Sequence, residues 1–479
     1  MRALSLLPLP LLLFSAPALS FSHDTHDHES HHPDLFARQL AIDTQAVLDA
    51  GYATEPLFLE PEKLEKRAVV PQVFKYGSTK VRGVSLGGWL LLEPFIKPSM
   101  FQAVYKTDPR IVDEWSFCKY QDKAVATAAL QQHWQTWITE ADIRNIAAAG
   151  LNHIRIPIGH WAIAKASGEP YIKGSLYYLN AAIGWAAKYD LKVMIDLHGA
   201  PGGQNGFDNS GHRLVLKWTS EYNQNRTRSV LQTIAGEYAK AKYRNTVTAI
   251  QPVNEPAGFY DGVAEVARKF YKSAYDIIRT PDKKNSNSIL YIMHDAFKGP
   301  DYWTGFMPSP AYEQVGLDLH YYSVFDSDGI SMTDAQRIKH YCALGPIMAK
   351  SNRNLYTIVG EWTPSPTDCM NKVPGVYYSA TQKNTPIGYG SRYDGTLAGF
   401  PKLGSCTGKT GLRGTFSTAF KKTLRKMFEV QTQVYERGSG WIMWTWKTES
   451  AHDWSYQAGL AGGWIPRNPT EKLYGNQCA

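Results

Sequence analysis

No stretch of this chain comes near the roughly 20 consecutive apolar residues of a membrane-spanning helix, which excludes a helical membrane protein. Charge of one sign is scarce as well. Lys and Arg number 51 against 43 Asp and Glu in 479 residues, and the cations form no long basic run, so the electrostatic footprint of a nucleic-acid binder is missing. Cysteine is sparse: the five, at positions 118, 342, 369, 406 and 478, include no Cys-x-x-Cys spacing, which argues against a structural zinc site. No Gly-x-Gly-x-x-Gly or Walker-type loop follows the first β-rich run, and that removes the usual mark of a nucleotide-binding open sheet. What remains is a globular composition, 43% hydrophobic and 13% aromatic, long enough for a large buried core.

The N terminus is built for export. Arg2, a Leu- and Pro-rich apolar stretch from Leu4 to Phe14, and small residues around Ala16, Ala18 and Ser20 follow the order of a secretory signal peptide, placed at 1–20. Residues 21–67 read as a polar, acidic pro-segment that carries His23, His26, His28, His31 and His32 and ends in Lys66-Arg67, a dibasic pair of the kind secretory processing proteases cut. The charge changes there. Residues 1–67 hold five Lys or Arg against ten Asp or Glu, which leaves a formal +13 on 68–479, read as a single catalytic domain. The histidines have metal-ligand chemistry but no strand or helix to fix them, so the segment reads as a cleavable spacer and no metal site is predicted. An odd cysteine count in an exported chain predicts two disulfides and one free thiol. Cys118, in the apolar-aromatic stretch from Trp115, is the free one, and Asn225-Arg226-Thr227 is a glycosylation acceptor in a surface-type segment.

From Val81 onward, β-rich runs alternate with helical stretches. Eight strands are predicted, at 82–86, 153–158, 192–197, 246–253, 289–294, 316–321, 356–360 and 440–446, with one helix over Trp134 to Ala149 before the second. Eight strands with crossovers suggest a closed (β/α)8 barrel. Several strands end in residues a buried strand has no use for: Trp89 and Glu93, Arg155, His198, Asn254 and Glu255, His320 and Tyr322, Glu361, and Trp444. All strand C-termini of such a barrel open on one face, which carries the active site, so these residues converge. Glu255 and Glu361, on the fourth and seventh strands, form the pair that glycoside hydrolysis needs: one acid to protonate the leaving oxygen and one carboxylate to attack or to activate water.

The stretches Arg82 to Pro94, Ile154 to Gly159, Asp196 to Gly211, Val253 to Pro256, Asp318 to Phe325, Gly360 to Thr363 and Trp444 to Trp454 are similar, in this order, to those of the fungal exo-β-1,3-glucanases of glycoside hydrolase family 5. The resemblance implies a retaining mechanism with Glu255 as acid/base and Glu361 as nucleophile. It implies sugar-hydroxyl ligands at Glu93, His198, Asn254 and His320, a sugar platform at Trp444, support of Glu361 by Arg155 and Tyr322, and entrance aromatics at Phe207 and Phe325. Glu255 is expected protonated and Glu361 ionised at the start of the cycle. Four cysteines allow three pairings, of which the resemblance implies Cys342 with Cys478 and Cys369 with Cys406.

The implied activity is release of glucose from the non-reducing ends of β-1,3-glucan, with transglycosylation where a sugar replaces water. An endo-β-glucanase, or a β-1,6-glucan or steryl-glucoside hydrolase, shares the Asn-Glu-Pro and Gly-Glu signals, and a non-catalytic wall-glucan-binding barrel is the reading from another class. Gly203 and Ser450 to His452 depart from the family's pattern, which bears on linkage preference and subsite walls. No cofactor is implied. The expected product is a monomer, secreted or wall-associated, that meets β-glucan polysaccharide and oligosaccharides and neither nucleic acid nor a membrane anchor.

Overall fold

Eight parallel strands close on themselves in chain order in the computed structural model, which describes residues 71–105, 107–281, 288–372, 390–397 and 399–479. The predicted signal peptide and pro-segment, 1–67, lie outside the described residues. The strands are β1 (Val81–Ser85), β2 (His153–Gly159), β3 (Lys192–Gly199), β4 (Val247–Gln251), β5 (Leu290–His294), β6 (Val315–Tyr321), β7 (Tyr356–Trp362) and β8 (Gly440–Met443). Pairing of β1 with both β2 and β8 closes the ring. The strands are buried on both faces almost throughout, as a parallel sheet wrapped in helices must be. β8 stops three residues short of the predicted end because the Thr445 N–H donates to the Trp454 carbonyl (3.0 Å), a loop partner, instead of continuing the ladder.

The outer layer contains α1 (Lys123–Thr136), α2 (Glu140–Ala148), α3 (Ser175–Lys188), α4 (Glu221–Tyr238), α5 (Val263–Arg279), α6 (Asp334–Asn354), α7 (Thr418–Tyr435) and α8 (Tyr456–Gly462). None of the described helices is long and apolar enough to cross a membrane. The single helix predicted over 134–149 is two elements. α1 ends at Thr136, and α2 is nucleated afresh where Asp142, three residues into it, accepts the Thr139 N–H at 3.0 Å. Leu130, Trp134 and Ile138 keep a helical spacing before the break, and Ile143, Ile146 and Ala147 resume one after a step of five, so each side reads as helix and the break shows only as a slip of phase. Between β5 and β6 the described connection carries a 3₁₀ turn, Pro300–Trp303, in place of a crossover α-helix.

The barrel floor is apolar and the mouth is polar. Val81, Met194, Ala249, Leu290, Ile292, Ile358 and Ile442 form one buried cluster, against which Phe74, Tyr76 and Tyr356 pack. Tyr76 closes this end by hydrogen bonds of its hydroxyl with His153 Nε2 (2.9 Å) and Thr248 Oγ1 (2.8 Å). A sealed floor leaves the C-terminal ends of the strands as the one entrance.

Two disulfides tie the periphery down: Cys369 with Cys406, and Cys342 on α6 with Cys478 at the chain end. Cys118 is a buried free thiol whose ionisation burial suppresses. Asn225 is exposed, on the first turns of α4, where its side-chain carbonyl accepts from Arg228 (2.7 Å). The Cys342–Cys478 bridge spans 136 residues and constrains the unfolded chain accordingly. Replacing both cysteines by Ser is expected to lower unfolding free energy by about 2–5 kcal/mol, measured as a shift of the urea midpoint under non-reducing conditions.

Candidate active site

Strand alternation carries the change from floor to mouth. Side chains two apart share a face, so the apolar floor residues Met194, Ala249 and Ile292 are followed inside the barrel by Asp196, Gln251 and His294, and on β6 Asp318 is followed by His320. β7 needs a device to join them. Strict alternation would send Gly360 inward and Glu361 outward, but the β6–β7 register skips Gly360: Leu319 pairs with Val359 and His320 with Glu361. This bulge turns Glu361 into the lumen beside His320. Gly360 must be glycine there, because a Cβ would lie 2.2 Å from an Asp318 carboxylate oxygen, the same oxygen that accepts the Gly360 N–H at 2.6 Å.

Arg155, fully buried, organises the centre. Its Nη1 donates to Glu361 Oε1 (2.7 Å), and its Nη2 lies within reach of Asn254 Oδ1 (2.6 Å), Gln251 Oε1 (2.8 Å) and Asp196 Oδ2 (3.0 Å). Burial works against its charge, yet Asp196, Glu361, Asp318 and Glu255 outweigh that and raise its pKa further. The Tyr322 hydroxyl donates to the other Glu361 oxygen at 2.9 Å. Glu255 sits in left-handed backbone, φ 45°, before Pro256, a costly conformation for a residue with a side chain and one that aims its carboxyl into the same space.

His320 joins the two glutamates. Its Nδ1 is 2.7 Å from Glu255 Oε1 and 3.6 Å from Glu361 Oε2, while Nε2 faces Asp318 Oδ2 at 3.3 Å. One ring nitrogen therefore keeps those two oxygens no farther apart than the sum of the two distances, which brings both carboxyl groups to one sugar-sized space. The protonation pattern differs from the one read in the sequence. Burial opposes a charge on His320, but Glu361, Asp318 and Glu255 push its pKa well above the imidazole range. Burial alone would raise Glu255, yet the His320 hydrogen bond and charge hold it below the usual carboxylate range, whereas burial, opposed by His320 and Arg155, leaves Glu361 raised. The proton expected on Glu255 thus resides on His320, one hydrogen bond away.

The other predicted residues take distinct places. His198 bonds Asp196 through Nδ1 (2.7 Å) and stacks on Trp444, ring centroids 5.4 Å apart. Asn254 spends its carbonyl on Arg155 and keeps its amide nitrogen 3.5 Å from His198 Nε2. Glu93 is buried and accepts the Gly88 N–H (2.9 Å); burial, then Asp208, Glu361 and Glu255, raise its pKa well above the carboxylate range. Phe207 and Phe325 stand exposed in separate ring clusters, the first against Phe259 and the second against Tyr322 and Trp454. Sequence reasoning missed Asp196, Gln251, Asp318 and Asn209, whose amide reaches Glu255 at 3.3 Å. A signal existed for two of them. Asp-Leu-His occurs at 196–198 and again at 318–320, and period two puts each Asp on the face of its His.

Glu255, His294 and His320 offer three ligand atoms within 4.8 Å of one another, the one such cluster among the described residues. A charged His320 with both nitrogens facing carboxylates suits a proton better than a metal ion.

A buried carboxyl pair at the mouth of a (β/α)8 barrel, with a fixed cation on one member and a proton store on the other, defines a glycoside hydrolase. The family model described as Cellulase (glycosyl hydrolase family 5) matches residues 118–387, and the chain belongs to that family. It is 42% identical to "Probable glucan 1,3-beta-glucosidase A" of Aspergillus niger over 85% of this chain and 92% of that one. With "Glucan 1,3-beta-glucosidase" of Blumeria graminis it shares 39% over 91% and 97%. A rutinosidase structure from A. niger matches in fold, with TM-score 0.62 at 20% identity over 82% of this chain and 99% of that one.

His320→Gln removes the proton store. Activity in the wild type persists while the His320–Glu255 pair keeps its last proton and falls as pH rises through the raised pKa of that pair. The alkaline limb of kcat/KM in the variant is expected to move to lower pH by about one unit, with a loss of roughly 10²-fold or more at the optimum. Gly360→Ala, which drives a Cβ into the immobile Asp318 carboxylate, is expected to cost about 1–3 kcal/mol of stability in thermal unfolding and to lower kcat.

Proposed function

We propose that this chain is a retaining glucan exo-1,3-β-glucosidase that releases glucose from the non-reducing ends of β-1,3-glucan. The observation that carries the reading is the Glu255–Glu361 pair sharing one imidazole nitrogen, in a chain 42% identical to a relative named for that activity. Glu361 is the nucleophile. Its carboxylate attacks the anomeric carbon as the glycosidic C–O bond breaks, and the leaving oxygen takes the proton that His320 passes to Glu255 across their 2.7 Å contact, which leaves Glu255 ionised and His320 neutral. The glycosyl ester so formed has no charge on Glu361, which lowers the cost of ionising Glu255. Glu255 then takes a proton from water as that water attacks the same carbon and passes it back to His320, and β-glucose leaves with configuration retained.

Asn254 donates its free amide hydrogen to the sugar 2-hydroxyl, a contact that strengthens in the oxocarbenium-like transition state. Glu93 and His198 bind further hydroxyls, and Trp444 presents its face to the apolar face of the ring. A sugar hydroxyl that takes the place of water gives transglycosylation with the same atoms and protons. Residues 1–20 direct export, cleavage after Arg67 releases a monomeric domain, and its formal +13 favours retention on acidic wall polymers.

Incubation with laminarin, followed by NMR at early times, tests the reading. Glucose as sole first product, appearing as the β-anomer and reduced about 10³-fold or more in Glu361→Gln, is expected. A ladder of oligosaccharides would make the enzyme endo-acting, and α-glucose as the first anomer would overturn the double displacement.

A further inference from the structure

We propose that Phe259 and Tyr260 form an aromatic shelf that docks the leaving glucan chain beyond the sugar whose oxygen Glu255 protonates, an inference that rests on the function proposed above. Four large rings, Phe207, Phe259, Tyr260 and Phe297, stand 40%, 52%, 54% and 37% exposed. Singly exposed apolar side chains are ordinary, whereas contiguous ones beside a polar pocket mark a binding surface. Phe259 is their hub. Its centroid lies 6.3 Å from Phe207 with the planes only 25° apart, 5.5 Å from Phe297 and 4.9 Å from Tyr260.

The cluster is continuous with the acid end of the site. Phe207 stands two residues before Asn209, which donates to Glu255, and Phe297 packs on His294 at 5.0 Å, which meets His320 at 4.3 Å. The side of Glu361 is walled differently, by Tyr322, Phe325 and Trp454 packed on one another. In a double displacement the leaving oxygen takes its proton from the acid, so the chain attached to it departs over the acid's side, where these four rings lie.

The rim is held in place by its backbone. A Cβ on Gly258 would lie 2.3 Å from the Ala296 carbonyl oxygen, so the loops after β4 and β5 touch main chain to main chain just before Phe259 and Phe297. Asp295 accepts the N–H groups of Phe297 (3.0 Å) and Gly299 (2.9 Å). Ala296 and Phe297 both occupy left-handed backbone, φ 51° and 57°, a conformation that residues with a Cβ keep only where their surroundings impose it. Rigid aromatic faces lose little freedom on binding. They accept the C–H face of a sugar whichever hydroxyls point outward, which suits a polymer that must slide forward after each cut.

The test compares β-1,3-linked glucose oligomers of two and five units. In the active enzyme, Phe259→Ala is expected to lower the five-unit to two-unit ratio of kcat/KM about tenfold and Tyr260→Ala about threefold, through KM, with Phe259→Trp restoring the ratio. In a Glu361→Gln background, calorimetric titration is expected to show weaker binding of the five-unit oligomer alone. An unchanged ratio in both alanine variants overturns the shelf, and so does an equal loss on both oligomers. A wild-type enzyme that cleaves neither oligomer sinks the proposed function instead, and the same length comparison on the β-linked glucan it does cleave then decides the shelf.

Discussion

A guanidinium with no exposure to water has to be surrounded by acceptors, and the architecture of this barrel follows from how Arg155 meets that demand. Removing a partner from such a buried ion group costs about 3–5 kcal/mol, because the remaining charge is left unpaired. Arg155 draws on β3 for Asp196, on β4 and its end for Gln251 and Asn254, and on β7 for Glu361. Four strands are thereby held in one register at the level where chemistry occurs. The same contacts leave Asn254 with only its amide to offer a sugar and give Glu361 a fixed donor on one oxygen, so catalysis uses groups already oriented by the pairing of one cation.

The bulge at Gly360 is the second half of that solution. Without it, Glu361 would face the helical layer and Arg155 would lose its 2.7 Å partner; with it, a glutamate and His320 become cross-strand neighbours. Three carboxylates then crowd one imidazole. The imidazole answers by holding a proton, and that proton is what an acid catalyst on Glu255 requires. Acid and nucleophile are therefore not two independently tuned groups. Protons enter and leave a pair joined by His320, and the titration belongs to the three groups together.

Much of the frame was legible from residues. The eight strand cores, the two glutamates and the cation beside one of them follow from apolar runs that contain or end in out-of-place polar residues, as at Arg155 within β2 and Glu361 near the end of β7. What stayed hidden has physical causes. A bulge shifts pairing by one residue without leaving a compositional trace, so the reason for Gly360 lies in Asp318, 42 positions away in sequence. The break between α1 and α2 leaves an apolar period on each side and shows only as a slip of phase. The proton's position on His320 depends on distances of 2.7 to 3.6 Å among residues from three strands, which no spacing encodes. Nothing in their own stretch singles out Phe259 and Tyr260, because the rings that complete the cluster, Phe207 and Phe297, come from two other loops.

Backbone strain is distributed by the same logic. Glu255, Ala296 and Phe297 hold left-handed conformations at the mouth, each of the order of 1–3 kcal/mol. The floor, by contrast, is apolar contact sealed by Tyr76, and the chain end is covalently fixed to α6. Asp190 and Gln314, just before β3 and β6, are left-handed as well, so strain is not confined to the mouth, but at the mouth it falls on Glu255 and on the turn that carries Phe297. A barrel with a packed apolar floor can hold its upper rim in geometry that local preference would reject, which is how an acid after β4 can be aimed at its partner on β7.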